Sequence, residues 1–277
     1  MNKLSLILSV LLFLGLTSFT TEKDTQITDA NYLKEDSLLW HDYEENVRAI
    51  YQQMKEHPEK ADSLKRVSRS LYHQASVKNV ELALKYFMVP SGLHRVYMIR
   101  NYIGKETLKS VLIAMPDSLR NHPYVGYIRD YVETHQLTEG DRYVPFDSQT
   151  ISGEKFDWES MEKKNLLLLY GGLSCMGKSG QDYLKNLLEK TSRKDLEIVI
   201  FCTVSDLDDL QKIHESYPEF TLISNFQIEG NPMNIIYNAQ ATPTCFMIDR
   251  KGIIQVRSEG LNTQRFDAYL KSDGCLK

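Results

Sequence analysis

The spacing of apolar positions divides the chain into two halves with different periods. Over residues 30–137 the apolar residues recur every three or four positions, as in helices that bury one stripe. Leu38, Leu39, Tyr43, Val47, Ile50, Tyr51 and Met54 make the first stripe. Pro58 suits the first turn of a second helix, which carries Leu64, Val67, Leu71 and Tyr72. Further helices are predicted over 80–88, ending before Pro90, over 93–103, closed by Gly104, and over 107–115. Pro116-Asp117 restarts the chain, and a last helix runs to about residue 136. Tyr97, Tyr102, Tyr124, Tyr127 and Tyr131 fall at helical spacing, where packing of core and rim is the expected role.

Near Gly140 the pattern changes. Residues 141–152 are rich in turn formers, and Ser152-Gly153-Glu154-Lys155-Phe156 predicts a hairpin turn feeding a short strand. Residues 158–162 suit a single helical turn. The apolar run Leu166 to Leu169 predicts a buried strand that meets two glycines, and a helix follows over 181–191. The β-branched and apolar run over 196–204 predicts a strand buried on both faces. Then come a helix over 206–217, a strand over 220–223, a helix over 232–238 and strands over 244–248 and 253–257. Asp249-Arg250-Lys251-Gly252 is the tight turn between those strands, and a helix over 263–270 closes the chain. The fold class expected is an α/β domain with a central mixed sheet over residues 139–277, preceded by an all-helical domain over residues 21–138.

A length of 277 residues, 42% of them hydrophobic, gives each half enough apolar material for a core. The net charge of −4 and the absence of a basic run give no reason to expect a nucleic-acid partner. Lys3, an apolar stretch over 4–16 and the small residues Thr17 and Ser18 predict a signal peptide over residues 1–20. The expected location is therefore the periplasm or cell envelope, and any membrane attachment would run through this segment alone. The four cysteines, Cys175, Cys202, Cys245 and Cys275, contain no C-x-x-C pair, and the seven histidines are scattered. No metal and no cofactor is expected from these patterns.

Candidate chemistry concentrates in residues 165–180, where a strand leads through Gly171-Gly172 to a helix start. Backbone N–H groups converge at such a place and the helix dipole favours negative charge. From Gly172 the residues spell G-x-x-x-x-G-K-S, a phosphate-binding loop. From Cys175 they spell C-x-x-K. The phosphate reading needs a nucleotide-binding sheet with more parallel strands than about 110 residues ending in a hairpin supply. Its acidic partner would be Asp249, which the β-turn already requires for its own geometry.

The segment Ala241-Thr242-Pro243-Thr244, followed by Cys-Phe-Met-Ile-Asp-Arg-Lys-Gly-Ile-Ile, resembles the Thr-Pro-Thr…Ile-Asp-x-x-Gly-x-Ile segment of extracytoplasmic thioredoxin-like proteins. These are the TlpA-like disulfide reductases and their peroxiredoxin-related cousins of Bacteroidota type. The resemblance extends over residues 140–270 and implies a thioredoxin-like fold, with Pro243 in a cis peptide opposite the attacking Cys175. It implies thiol–disulfide exchange with protein thiols or disulfides of exported clients, with Ser174 and Thr242 against the substrate. The family's Trp-Cys-x-x-Cys falls on Ser174-Cys175-Met176-Gly177-Lys178, so the resolving cysteine is lysine. Release of a mixed disulfide would then need an outside thiol or another cysteine, for which Cys245 is the candidate. Lys178, three residues beyond Cys175, is expected to share its helical face and favour its thiolate. Two functions stay open: exchange through one thiol, and a thioredoxin-fold binding module without activity.

Overall fold

The structure is a computed structural model that describes residues 26–276, so the predicted signal peptide lies outside the described residues. The chain divides into two compact units between Tyr102 and Ile103. That division falls earlier than the composition shift near Gly140. The shift marks where helices give way to strands, whereas the helices after residue 103 fold with the sheet.

In the first unit, helix α1 (Asp29–Glu56) packs along α2 (Ala61–Lys85). Thr28 caps α1, its side chain accepting from Asn31 N at 3.2 Å. Helix α2 is continuous where the pattern predicts two helices, one carrying Leu64 to Tyr72 and one over 80–88. No proline or glycine interrupts residues 61–85, so nothing stops the helix between them. Helices α3 (Pro90–Met98) and α4 (Arg100–Ile103) follow. The joints are polar. Tyr86 donates to Glu35 at 2.6 Å and Arg95 pairs with Asp36 at 3.0 Å. Burial pushes the Glu35 carboxyl up, but bonds from Tyr86 and Lys85 hold it below its ordinary value.

The second unit opens with α5 (Lys105–Ile113) and α6 (Pro123–Glu133). The segment after α6 is bound to the rest of this unit: Leu137 N donates to Ile236 O at 2.9 Å, and Gln136 Nε2 donates to Ile235 O at 3.3 Å. The remaining elements are β1 (Gln149–Thr150), β2 (Asn165–Tyr170), α7 (Gly177–Lys190), β3 (Leu196–Phe201), α8 (Leu207–Ser216), β4 (Thr221–Ser224), α9 (Pro232–Ile235), β5 (Thr244–Ile248), β6 (Ile254–Glu259) and α10 (Thr263–Ser272). They form one six-stranded mixed sheet in the order β1-β4-β3-β2-β5-β6, flanked by helices, which is the architecture the resemblance implies. Strands β2, β3 and β4 run parallel, while β5 is antiparallel to both β2 and β6.

The two-residue period of β2 explains why it is central. Leu166, Leu168 and Tyr170 face one core, with Phe246, Phe201, Trp158 and Tyr237. Leu167 and Leu169 face the other, with Leu184, Leu210, Phe266 and Leu270 from the covering helices. All six residues of β2 are buried. The turn at 158–162 is a short 3-10 segment, Glu159–Met161, and Trp158 donates its indole N–H to Phe146 O at 2.7 Å. Asp206 caps α8 by accepting from Asp209 N.

The contrast in burial gives a direct stability test. Leu168→Ala empties a fully buried position in the central strand and should lower unfolding free energy by about 2–5 kcal/mol. Ile113→Ala, at a residue 83% exposed, should change it by less than about 0.5 kcal/mol. Denaturant titration of both variants against the parent checks this.

Candidate active site

The site lies beyond the C-terminal end of β2, where β3 and β5 flank it on either side. Leu169 pairs with Cys245 and Tyr170 with Thr244, so the residue just before β5, Pro243, meets the chain as it leaves β2. Gly171 and Gly172 take φ of +55° and +94°. A Cβ on Gly172 would stand 2.5 Å from Pro243 Cβ and 2.8 Å from its nitrogen. Only glycine permits both that conformation and that approach. The Thr242–Pro243 peptide is cis, and Pro243 is buried.

From Gly172 the chain makes one helical turn, closed by Met176 N donating to Gly172 O at 2.9 Å. Gln181 Nε2 donates to Leu173 O at 2.7 Å and fixes that turn against α7. Cys175 lies in it, exposed, and its thiol donates to Thr242 O at 3.2 Å and approaches Gly172 O at 3.5 Å. Thr242 Oγ1 is also 3.5 Å from the sulfur. The structure thus brings Cys175, Thr242 and Pro243 together across 67 residues of sequence. Ser174 is exposed beside Cys175.

Lys178 behaves differently from expectation. Helix α7 starts at Gly177, whose φ of +65° is left-handed, so helical geometry does not run unbroken from Cys175 to Lys178. The three-residue spacing therefore does not stack the two side chains on one helix face. The Lys178 ammonium instead pairs with Asp182, one turn further on, at 3.0 Å, with its side chain 86% exposed. Water screening at that exposure makes the pair a weak one.

Cys245 also departs from expectation. All four cysteines are free. Cys245 and Cys202 lie near the predicted end of the sheet, but both side chains join the core under the covering helices. Burial pushes each thiol up to about 12, so at neutral pH neither supplies a thiolate to resolve a mixed disulfide. Cys275 is half-buried and also raised, first by burial and then by Asp195.

The phosphate-loop reading loses its acidic partner. Ile248 pairs with Leu166 at the start of β2, which places Asp249 at the opposite end of the sheet from Gly172 and Lys178. Five strand residues separate the two ends, roughly 15 Å. Asp249 Oδ1 accepts from Lys251 N and Ile253 N, and Oδ2 from Gln255. Among the described residues no group of three or more His, Cys, Asp or Glu is arranged to hold a metal.

One residue that pattern reading passed over is Asn234. Its buried Nδ2 donates to Tyr170 Oη and to Ala239 O, both at 3.0 Å, so it joins the end of β2 to the loop that carries Thr242. The available signal was an asparagine inside the apolar run Met233-Asn234-Ile235-Ile236.

No family model matches the chain. It is 24% identical over 129 residues to the thioredoxin-like protein YneN of Bacillus subtilis, a match covering 47% of this chain and 76% of that protein. Among solved structures, a thiol-disulfide oxidoreductase of Bacteroides fragilis aligns with TM-score 0.41 and 17% identity, over 49% of this chain and 98% of the other. The thioredoxin domain of a thiol-disulfide oxidoreductase of Bacteroides vulgatus aligns with TM-score 0.39 and 14% identity, over 48% and 97%.

Three outcomes follow from the site's geometry. At pH 8 a small alkylating agent should modify Cys175 in the native chain and leave Cys202 and Cys245 unmodified until denaturant is added, as peptide mass spectrometry will read. The buried pair also has a linkage consequence. Their folded values lie above the unfolded cysteine value of about 8.5, so the stability they contribute is complete below that pH and is lost as pH rises toward about 12. Denaturation midpoints should fall over this window, and by less in Cys202→Ala. Gly172→Ala should cost about 1–3 kcal/mol from the left-handed backbone alone and should change the Cys175 alkylation rate by displacing Pro243 and, with it, the adjoining Thr242. Gly177→Ala, with open space around its Cβ, should carry only the backbone cost and leave that rate nearer the parent's.

Proposed function

We propose that this thioredoxin-like domain carries out thiol–disulfide exchange through the single sulfur of Cys175, on protein disulfides of exported clients in the cell envelope. The observation that carries the reading is the exposed Cys175 thiol, 3.2 Å from Thr242 O beside the cis Thr242–Pro243 peptide, while Cys202 and Cys245 are sealed in the core. Similarity to a thioredoxin-like protein over 129 residues supports it. The predicted signal peptide supports export. The helices before residue 103 form a compact unit of their own.

The chemistry has two parts. The Cys175 thiolate attacks one sulfur of a client disulfide. A new S–S bond forms, the client S–S bond breaks, and the displaced client sulfur leaves as a thiolate and takes up a proton. With Lys178 in place of a second cysteine, an external thiolate attacks the Cys175 sulfur and releases the client's remaining thiol. A second external thiol then returns Cys175 as thiolate, leaving the two external sulfurs as a disulfide. The client is reduced by two electrons and two external thiols are oxidised. Thr242, exposed beside the sulfur, and Ser174 would contact the client chain.

A second reading is a binding module, favoured by the engagement of Lys178 with Asp182 rather than with the thiol. A peptide containing one internal disulfide separates the two. The reduced chain should form a one-to-one adduct through Cys175, and turnover should appear only with added glutathione and rise with its concentration. Cys175→Ser should abolish both. Absence of an adduct, with client binding unchanged in Cys175→Ser, would favour the binding module.

A further inference from the structure

At the end of the sheet opposite Cys175, the turn before β2 and the turn between β5 and β6 enclose a cavity of about 280 Å³. Five of its lining residues are cationic: Arg142, Lys163, Lys164, Arg250 and Lys251. The chain as a whole is acidic, so this concentration is local. Two carboxylates, Glu162 and Asp249, also line it, but Asp249 has both oxygens committed to its own turn and to Gln255. Of the two arginines, Arg250 is paired with carboxylates, while Arg142 turns one amino group to a backbone carbonyl and keeps its charge. Arg142 donates to Lys251 O at 3.1 Å, and Arg250 reaches Asp195 at 3.5 Å and Asp273 at 3.3 Å. The positive charge left around the cavity is that of Lys163, Lys164 and Lys251, with Arg142 beside them, opposed by Glu162.

The cavity is built rather than incidental. Lys163 sits at φ +68°, a conformation uncommon for a residue with a side chain, within the turn that carries both lysines. The opposite wall is tied down by Tyr143 N donating to Gly252 O at 2.9 Å, with the Tyr143 ring over Gly252 at a φ of +82°. Buried Met161, Leu166 and Ile248 supply an apolar floor.

From this arrangement we infer a binding site for a small organic phosphate, its tetrahedral oxyanion held by Lys163, Lys164 and Lys251 and its body on the apolar floor beside Tyr143. Compact ammonium groups from two turns suit a tetrahedral anion. A carboxylate is better matched by a fully free guanidinium fork; here Arg250 is held by two carboxylates and Arg142 has one amino group on Lys251 O. The volume is near the lower end for small-molecule sites and exceeds what inorganic phosphate would fill. The site is independent of Cys175 and of the exchange reaction.

Phenyl phosphate, inorganic phosphate and phenol, titrated into the full chain and followed by amide chemical shifts, test this assignment. Phenyl phosphate should give saturating shifts at Lys163, Lys164 and Gly252 and bind more tightly than inorganic phosphate, with phenol weakest. Raising salt from about 50 mM to about 500 mM should weaken it. The double substitution Lys164→Gln, Lys251→Gln should weaken it about tenfold. Lys251→Gln alone, at an exposed turn position, should weaken it about threefold if the double variant does not fold. Absence of saturable shifts, shifts centred on residues 172–179, or affinity unchanged in the folded variants would overturn the assignment.

Discussion

The contact between Gly172 and Pro243 is the constraint on which the candidate site depends. Strand β2 ends beside the start of β5, and the register that pairs Tyr170 with Thr244 leaves no space for a side chain at Gly172. That approach sets Thr242 against the sulfur of Cys175. Asn234 supports the same junction from below by binding both Tyr170 and Ala239. The geometry of the thiol is thus a property of two strands, one buried amide and the Gln181 bond from the helix that follows.

The arrangement explains why three other sulfurs do not substitute for the absent one. A strand side chain points to one face or the other, and Cys245 and Cys202 both point into the helix-covered core. Proximity to the right end of the sheet does not bring a sulfur to the surface there. Cys275 belongs to the opposite end, near Asp195 and Asp273. In the proposed reading, single-thiol chemistry follows from this strand geometry together with Lys178 standing three residues after Cys175.

Much of the fold was legible because its strands are strongly patterned. Thr244–Ile248 fell at the predicted residues, and the order of elements from residue 165 onward matches the pattern. The turn at 158–162 was visible as well. The helix through 61–85 was not, since Val80 resumes the apolar stripe after polar residues that solvate an exposed face instead of breaking the helix. At the site, the juxtaposition of Cys175, Thr242 and Pro243 was legible only through the Thr-Pro-Thr segment, because contacts between residues 67 apart leave no periodic trace. The position of Lys178 was misread for a local reason. Spacing alone treats Cys175 to Lys178 as continuous helix, and the left-handed Gly177 interrupts it. The cationic cavity at the far end was not anticipated, since its lysines come from two turns about ninety residues apart.

Equilibration of the folded chain with a glutathione redox buffer, read by intact mass with thiols blocked, tests the central claim most directly. One accessible sulfur without a resolving partner predicts a species carrying a single glutathione at Cys175, persisting across the buffer range, with the other three thiols free. An internal disulfide involving Cys175, formed with loss of the glutathione adduct, would contradict it.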